Sequence, residues 1–328
     1  MDMSIVPYEG DSPMKPWPHL AAKAFCLKGS TPAEGSLFFL DSSLEETSLE
    51  ETSPAWNPAG LSTAGRPVFV LIHGLGDEAD TWRRLIPLLN ARGYRVLALD
   101  LPGFGRSAAP HKISLKTHAA AVIKLLESAC PGSPVILAGN SMGAVIAETV
   151  AFRKPELVRG LILIDGSIPG GPSNPGIFGL AKLLFSRKWY RSYRDDPDGA
   201  WASLYPYYAD LDAMPQEDKE FLRGRVMERV ESSTQEHAFF STQRSLVGAF
   251  ITAVSRYTSG IKSYKGKIQL IWGEKDRIVP LSSVNVFKTL RPDIALDVIP
   301  GAGHLPHQEK PEETARIMAG FAKSLSEV

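Results

Sequence analysis

Short apolar runs recur along the chain, each bounded by glycine, proline or charge. Pro67-Val68-Phe69-Val70-Leu71-Ile72 is one, and Arg95-Val96-Leu97-Ala98-Leu99 the next. Pro134-Val135-Ile136-Leu137-Ala138, Leu161-Ile162-Leu163-Ile164, Ile268-Gln269-Leu270-Ile271-Trp272 and Ala295-Leu296-Asp297-Val298-Ile299 follow. Runs this short and this continuous predict strands buried on both faces. Between them lie helical stretches: amphipathic Thr81 to Arg92, Ala144 to Phe152 stopping at Lys154-Pro155, and a closing helix from Pro311 to Leu325. Strand and helix alternating in this way predict an α/β protein, a mostly parallel central sheet with helices on both faces. Ahead of it, Ala21 to Leu27 and Ser36 to Leu40 are separated by Gly29-Ser30-Thr31-Pro32, a hairpin pattern.

The rhythm breaks twice. In residues 41–66, Ser43-Leu44-Glu45-Glu46-Thr47 is repeated at once as Ser48-Leu49-Glu50-Glu51-Thr52, before Pro54, Pro58 and Gly60. The segment is acidic and poor in large apolar groups, which predicts a mobile surface insertion. From Ser167 to Lys262 no buried strand is evident. Helices joined by Gly/Pro/Asp loops carry about half of the aromatic residues. Because this stretch follows one strand and precedes the next, it is expected to form a helical cap over the strand ends. The expected division is therefore residues 1–65, a core of 66–166 and 263–328, and a cap of 167–262.

Composition narrows the classes. Of 328 residues 22% are charged and 44% hydrophobic, the formal net charge is zero, and nothing in it points to nucleic acid or an anionic membrane. Met1 to Gly10 lacks the basic and apolar regions of a secretory signal, and no apolar run approaches the roughly 18 residues of a membrane span. Cys26 and Cys130 are far apart without metal spacing, as expected for unpaired thiols of a cytoplasmic protein, although one disulfide stays open. No cofactor or metal motif is present, and the oligomeric state is unspecified.

The candidate chemistry begins at Gly139-Asn140-Ser141-Met142-Gly143, between an apolar strand and a helix. G-x-S-x-G in that context is a nucleophile elbow: glycines permit a tight turn that lifts the serine hydroxyl to the N-terminus of a helix. A serine nucleophile needs a base, and the base needs a carboxylate to hold its tautomer. Loops at the carboxyl ends of two later strands supply both. Ile271-Trp272-Gly273-Glu274-Lys275-Asp276 places Asp276 beyond one strand, and Pro300-Gly301-Ala302-Gly303-His304 places His304 beyond the next. Asp165, at the end of Leu161 to Ile164, is the alternative acid. Glu274 reads as a solvated charge and His307 as a surface or supporting group. His19, His111, His118 and His237 have no evident partner.

These motifs resemble the α/β-hydrolase superfamily in its lidded branch. The resemblance covers about 66–166 and 263–328, through His73-Gly74-Leu75-Gly76, Asp100-Leu101-Pro102-Gly103-Phe104-Gly105-Arg106-Ser107, the elbow, Gly273-Glu274-Lys275-Asp276 and Gly301-Ala302-Gly303-His304. It implies an α/β-hydrolase fold with Ser141 as nucleophile, His304 as base and acid, and Asp276 as its orienter. Two N–H donors are then needed for the oxyanion. One is expected from Met142, and the resemblance gives the other to Leu75, with Gly76 second. His73, Asp100 and Arg106 are expected to be structural.

The expected substrate is a small-molecule carboxylic ester or thioester with an apolar acyl group, recognised by cap aromatics such as Trp189 and Tyr207. The elbow is also similar to that of meta-cleavage-product hydrolases, where an asparagine equivalent to Asn140 helps hold the substrate. That reading needs a cap arginine for a substrate carboxylate, and Arg223, Arg225 and Arg229 are candidates. Leu305 stands where those enzymes usually have Trp. A cluster of Arg187, Lys188, Arg191 and Arg194 reads as a solvated face, or as an anchor for such a carboxylate. A non-catalytic ligand receptor is the third reading.

Overall fold

The computed structural model describes residues 4–9, 12, 14–17, 20, 22–28, 35–42, 66–166 and 187–325. The acidic repeat of 43–52 and the first part of the expected cap lie outside them.

Nine strands form one sheet. They are β1 (Ser4–Pro7), β2 (Lys23–Lys28), β3 (Ser36–Asp41), β4 (Phe69–Ile72), β5 (Val96–Leu99), β6 (Val135–Asn140), β7 (Val158–Ile164), β8 (Lys267–Gly273) and β9 (Ala295–Ile299). Their order is β1-β2-β3-β5-β4-β6-β7-β8-β9. The first three are antiparallel, and from β5 to β9 every pair is parallel. All six apolar runs are strands, and the predicted hairpin is β2–β3. β1 was not anticipated. It is a four-residue edge strand closed by Pro7, too short to show a period of two.

Successive residues of each central strand enter opposite cores. Val70, Ile72, Leu97, Leu99, Leu137 and Leu161 face one side. Phe69, Leu71, Val96, Ala98, Ile136 and Ile162 face the other. Helices α1 (Leu85–Asn90) and α10 (Pro311–Ser324) cover the second side, through Leu85, Leu89, Met318 and Phe321. Helices α2 (Leu115–Ala129), α3 (Met142–Arg153), α8 (Val254–Ser263) and α9 (Val284–Leu290) cover the first, through Leu125, Val145, Ile261 and Phe287. The helix expected over Thr81 to Arg92 is divided into a 3₁₀ turn, Ala79–Trp82, and α1. Pro87 explains the division: without an N–H it is tolerated only in a first turn, so α1 starts just before it.

Between β7 and α8 the described residues are helical. They form α4 (Arg187–Ser192), α5 (Pro197–Ala202), a 3₁₀ turn at Tyr205–Tyr207, α6 (Gln216–Glu231) and α7 (Ser233–Thr252). Trp201, Tyr208, Leu211, Met214 and Leu222 give these helices a small core of their own, which Leu305 from the main body joins.

From β4 the chain passes to β5 on one side and then returns to β6 on the other. The loops after β4 and β6 therefore meet at a reversal of strand order, where open parallel sheets form their clefts.

Candidate active site

Ser141 occupies the single-residue turn between β6 and α3. Its φ of 54° and ψ of −118° lie in a region that side-chain-bearing residues rarely adopt. Neighbouring packing enforces the turn. A side chain begun at Gly139 would lie 2.2 Å from the Gly143 carbonyl, and one begun at Gly143 would lie 2.2 Å from the Ile72 carbonyl oxygen. The elbow is thus seated on the end of β4. Ser141 N–H donates to the Ile164 carbonyl at 2.8 Å, which ties the turn to β7 as well. Met142 is the first residue of α3, so its N–H has no carbonyl within the helix to bond.

The loop after β4 is braced by His73. Its Nε2 accepts from the Leu101 N–H at 2.9 Å, so Nδ1 carries the proton and donates to the Gly74 carbonyl at 2.7 Å. Burial lowers the pKa of His73 and keeps this ring neutral. Asp100 holds the adjoining turn, accepting from Ala79 N–H at 2.7 Å and from the Arg106 backbone and guanidinium, both at 2.7 Å. The structural roles expected for these three side chains are what their contacts show.

Asp276 and His304 meet across the ends of β8 and β9. His304 Nδ1 donates to Asp276 Oδ2 at 2.8 Å, with both side chains buried. Asp276 Oδ1 accepts from Ile278 N–H at 2.7 Å and Val279 N–H at 2.9 Å. The tautomer with hydrogen on Nδ1 leaves a lone pair on His304 Nε2. Asp165 lies beside this pair. Its Oδ1 accepts from Gly273 N–H at 2.8 Å, and its buried carboxyl group faces that of Asp276. Burial, and then the charge of Asp276, raises the Asp165 pKa well above the ordinary value. His307 is buried, not at the surface. It bonds Thr81 Oγ1 at 2.9 Å and stacks near Trp82, and burial depresses its pKa to about 3. His118, without a partner in sequence terms, is buried against Thr242 Oγ1 at 2.9 Å and likewise held near 3 by burial.

The residues put forward for substrate contact divide. Asn140 is buried, and its amide donates to the His304 carbonyl at 3.1 Å and the Ile164 carbonyl at 3.4 Å. It links the elbow to the histidine loop. Tyr207 is brought to the site: its carbonyl accepts from His304 N–H at 2.8 Å, and its ring lies 5.9 Å from the imidazole. Trp189 is 38% exposed on α4, edge-on to Tyr193. Phe239 of α7 packs on the β4 loop instead, 3.2 Å from where a Gly76 side chain would begin, and adjoins Tyr190 and Phe240. Aromatic content marks the cap in the sequence, but only the turn of α7 toward Gly76 singles out Phe239.

The cap arginines have partners on the protein. Arg229 binds Asp77 at 2.6 Å and Glu78 at 2.7 Å; Arg225 binds Glu228 at 2.6 Å and lies 3.4 Å from Asp80. Exposed Arg223 lies 3.6 Å from Asp198. Arg187, Arg191 and Arg194 converge on Glu236 at 3.5, 2.8 and 2.9 Å. Among the described residues no three His, Cys, Asp or Glu side chains gather to hold a metal ion, and no helix is long and apolar enough to cross a membrane.

A doubly covered, mostly parallel sheet thus holds a strained serine at the strand-order reversal, and Asn140 links that turn to the loop of a His–Asp pair. Residues 69–317 match the alpha/beta hydrolase family, and the chain belongs to it. It is 28% identical over 267 residues to a pimeloyl-[acyl-carrier protein] methyl ester esterase of Methylococcus capsulatus, covering 80% of this chain and 98% of the relative. It is 26% identical over 267 residues to Lipase 1 of Psychrobacter immobilis, covering 80% and 79%. Among solved structures, 2-hydroxy-6-oxo-6-phenylhexa-2,4-dienoate hydrolase from a Rhodococcus strain shares the fold. Its TM-score is 0.68 at 19% identity, over 90% of this chain and 98% of that one.

Proposed function

We propose that the chain is a serine hydrolase that cleaves a carboxylic ester or thioester of a small-to-medium apolar acyl group through an acyl-enzyme. The observation that carries this reading is the His304–Asp276 bond of 2.8 Å, on a loop that Asn140 joins to the strained Ser141 turn. In the proposed reaction Ser141 Oγ attacks the carbonyl carbon while His304 Nε2 takes its proton. Asp276 holds the tautomer and balances the imidazolium. The N–H groups of Leu75 and Met142 receive the oxyanion, the latter helped by the dipole of α3. His304 then protonates the leaving alcohol or thiol, and water repeats the sequence on the acyl-enzyme. Tyr207 and Phe239 supply apolar walls, and helices α4 to α7 act as a lid. α8 is assigned to the main body because Tyr257 and Ile261 pack in the sheet's core.

The esterase and lipase named among the relatives favour an ester over a carbon–carbon bond. So does the cap, whose Arg225 and Arg229 are already matched by carboxylates and offer no spare charge to an acidic substrate. Buried free thiols at Cys26 and Cys130 suit a reducing, cytoplasmic compartment.

Labelling with a fluorophosphonate, followed by a panel of p-nitrophenyl esters, tests the proposal. Ser141→Ala is expected to abolish labelling and lower kcat by about 10³ or more with the fold unchanged. Undiminished turnover in that variant would exclude the acyl-enzyme. Turnover of a ring-fission product in preference to every ester would move the assignment to carbon–carbon hydrolysis.

A further inference from the structure

The turn that carries Leu75 is gripped from the cap on two sides. Asp77 N–H closes the turn onto the Gly74 carbonyl at 3.4 Å. Asp77 Oδ1 and Glu78 Oε2 both accept from Arg229 Nη2, at 2.6 and 2.7 Å, and Arg229 Nε donates to Glu78 at 2.8 Å. Glu78 is almost wholly buried, and Arg229 and Asp77 are mostly so. Arg229 sits in the last turn of α6, where Tyr190 donates to its carbonyl at 3.2 Å and Arg194 to that of Val230 at 2.6 Å. The end of α6 is therefore fastened to the rest of the cap. From the other side Phe239 of α7 rests on Gly76.

We propose that Arg229 is a positioning residue for the reaction: it ties the seating of the cap to the alignment of the Leu75 N–H, so that the oxyanion site is complete only when the cap is closed. The inference rests on the serine-hydrolase reading above. Its physical basis is the short range over which an oxyanion donor works, about 2.7–3.1 Å to the developing charge. Removing the guanidinium takes from Asp77 its ion-pair partner and leaves Glu78 only the more distant Arg225 Nε, at 3.6 Å, so the turn that holds Leu75 must move to hydrate the two carboxylates. Substrate binding depends on the cap aromatics, and nucleophile generation on His304 and Asp276. Loss of Arg229 should therefore act on stabilisation of the tetrahedral state.

The experiment compares the full-length chain with Arg229→Gln and Arg229→Lys, using p-nitrophenyl acetate and a trifluoromethyl ketone that mimics the tetrahedral state. Arg229→Gln is expected to lower kcat about tenfold or more while KM stays within about threefold, and to weaken the ketone by a similar factor. Arg229→Lys keeps one charge without the fork and should recover part of both. Should Arg229→Gln fail to fold, as judged by circular dichroism, Arg229→Lys alone decides by the same split. Unchanged kcat, or a loss confined to KM, would overturn the proposal. Ser141→Ala run alongside separates the two readings, because retained turnover there would sink the mechanism itself.

Discussion

Asp165 and Asp276 are neighbouring buried side chains, and their surroundings treat them differently. Three N–H groups point at Asp276: those of Ile278, Val279 and the His304 ring. Asp165 receives one, from Gly273, and burial together with the neighbouring negative charge raises its pKa well above the ordinary aspartate value of 3.8. Asp165 is thus the member of the pair that keeps its proton. Asp276→Asn is expected to lower kcat by about 10³ to 10⁴, because an amide can favour the wrong imidazole tautomer. Asp165→Asn, an exchange of one neutral group for another, should leave kcat within a few-fold. The reverse pattern, Asp276→Asn silent and Asp165→Asn crippling, would show that the acid is Asp165. The same asymmetry sets a pH dependence. Above pH 3.8 an unfolded Asp165 gives up its proton while the native one retains it, so the native state loses stability as pH rises toward the raised value. Asp165→Asn removes that slope. Urea unfolding at pH 4 and pH 7 should find the variant gaining on wild type at the higher pH. Parallel stabilities at the two values would place the proton elsewhere.

At the scale of elements, specificity falls to the cap and chemistry to the loops in the proposed function. α7 brings Phe239 to the Leu75 turn, and the 3₁₀ turn brings Tyr207 to His304. A methylene buried in an apolar cleft contributes about 0.8 kcal/mol, so preference among p-nitrophenyl esters should climb with acyl length until the cleft is full. Phe239→Ala should move that optimum to longer chains while fluorophosphonate labelling persists. An unmoved optimum after both Phe239→Ala and Tyr207→Ala would put the acyl pocket in other loops. The central strands and the His304–Asp276 pair were legible in the chain because each is local: an apolar run, then a glycine-containing loop just beyond it. The cap contacts were not. Arg229 meets Asp77 and Glu78, and Arg83 meets Asp218 at 2.7 Å, across more than a hundred residues of chain. In sequence such arginines are indistinguishable from a solvated helix face, and α6 has no clear apolar stripe to orient it. Trp189 stood out by its size, yet its ring remains partly in water on α4.

At the scale of the whole molecule, the described flanks of residues 43–65 and the candidate site lie at opposite ends of the central strands. Ser42 closes β3, where its N–H donates to the Val96 carbonyl at 3.0 Å and its Oγ accepts from Val96 N–H at 2.9 Å. The Arg95–Asp41 ion pair, 2.6 Å and buried, secures the same corner. Arg66 resumes the described chain beside Tyr94 and bonds the Arg92 carbonyl. Both flanks of 43–65 thus sit where β4 and β5 begin, whereas the β4 loop with Leu75 and the elbow follow strand ends. Four residues of strand separate those edges by about 13 Å at about 3.3 Å per residue. Deleting the repeat at 43–52 shortens a connection whose anchors stay in place. Closure entropy varies only with the logarithm of length, so stability should change by less than about 1 kcal/mol. Turnover should stay within about twofold of wild type, since no group of the proposed mechanism is removed. Urea unfolding and ester hydrolysis of the deletion variant measure both quantities. A large loss of stability would mean that the repeat packs on the body, and a large loss of turnover with stability intact would mean that it reaches round the sheet to the cleft.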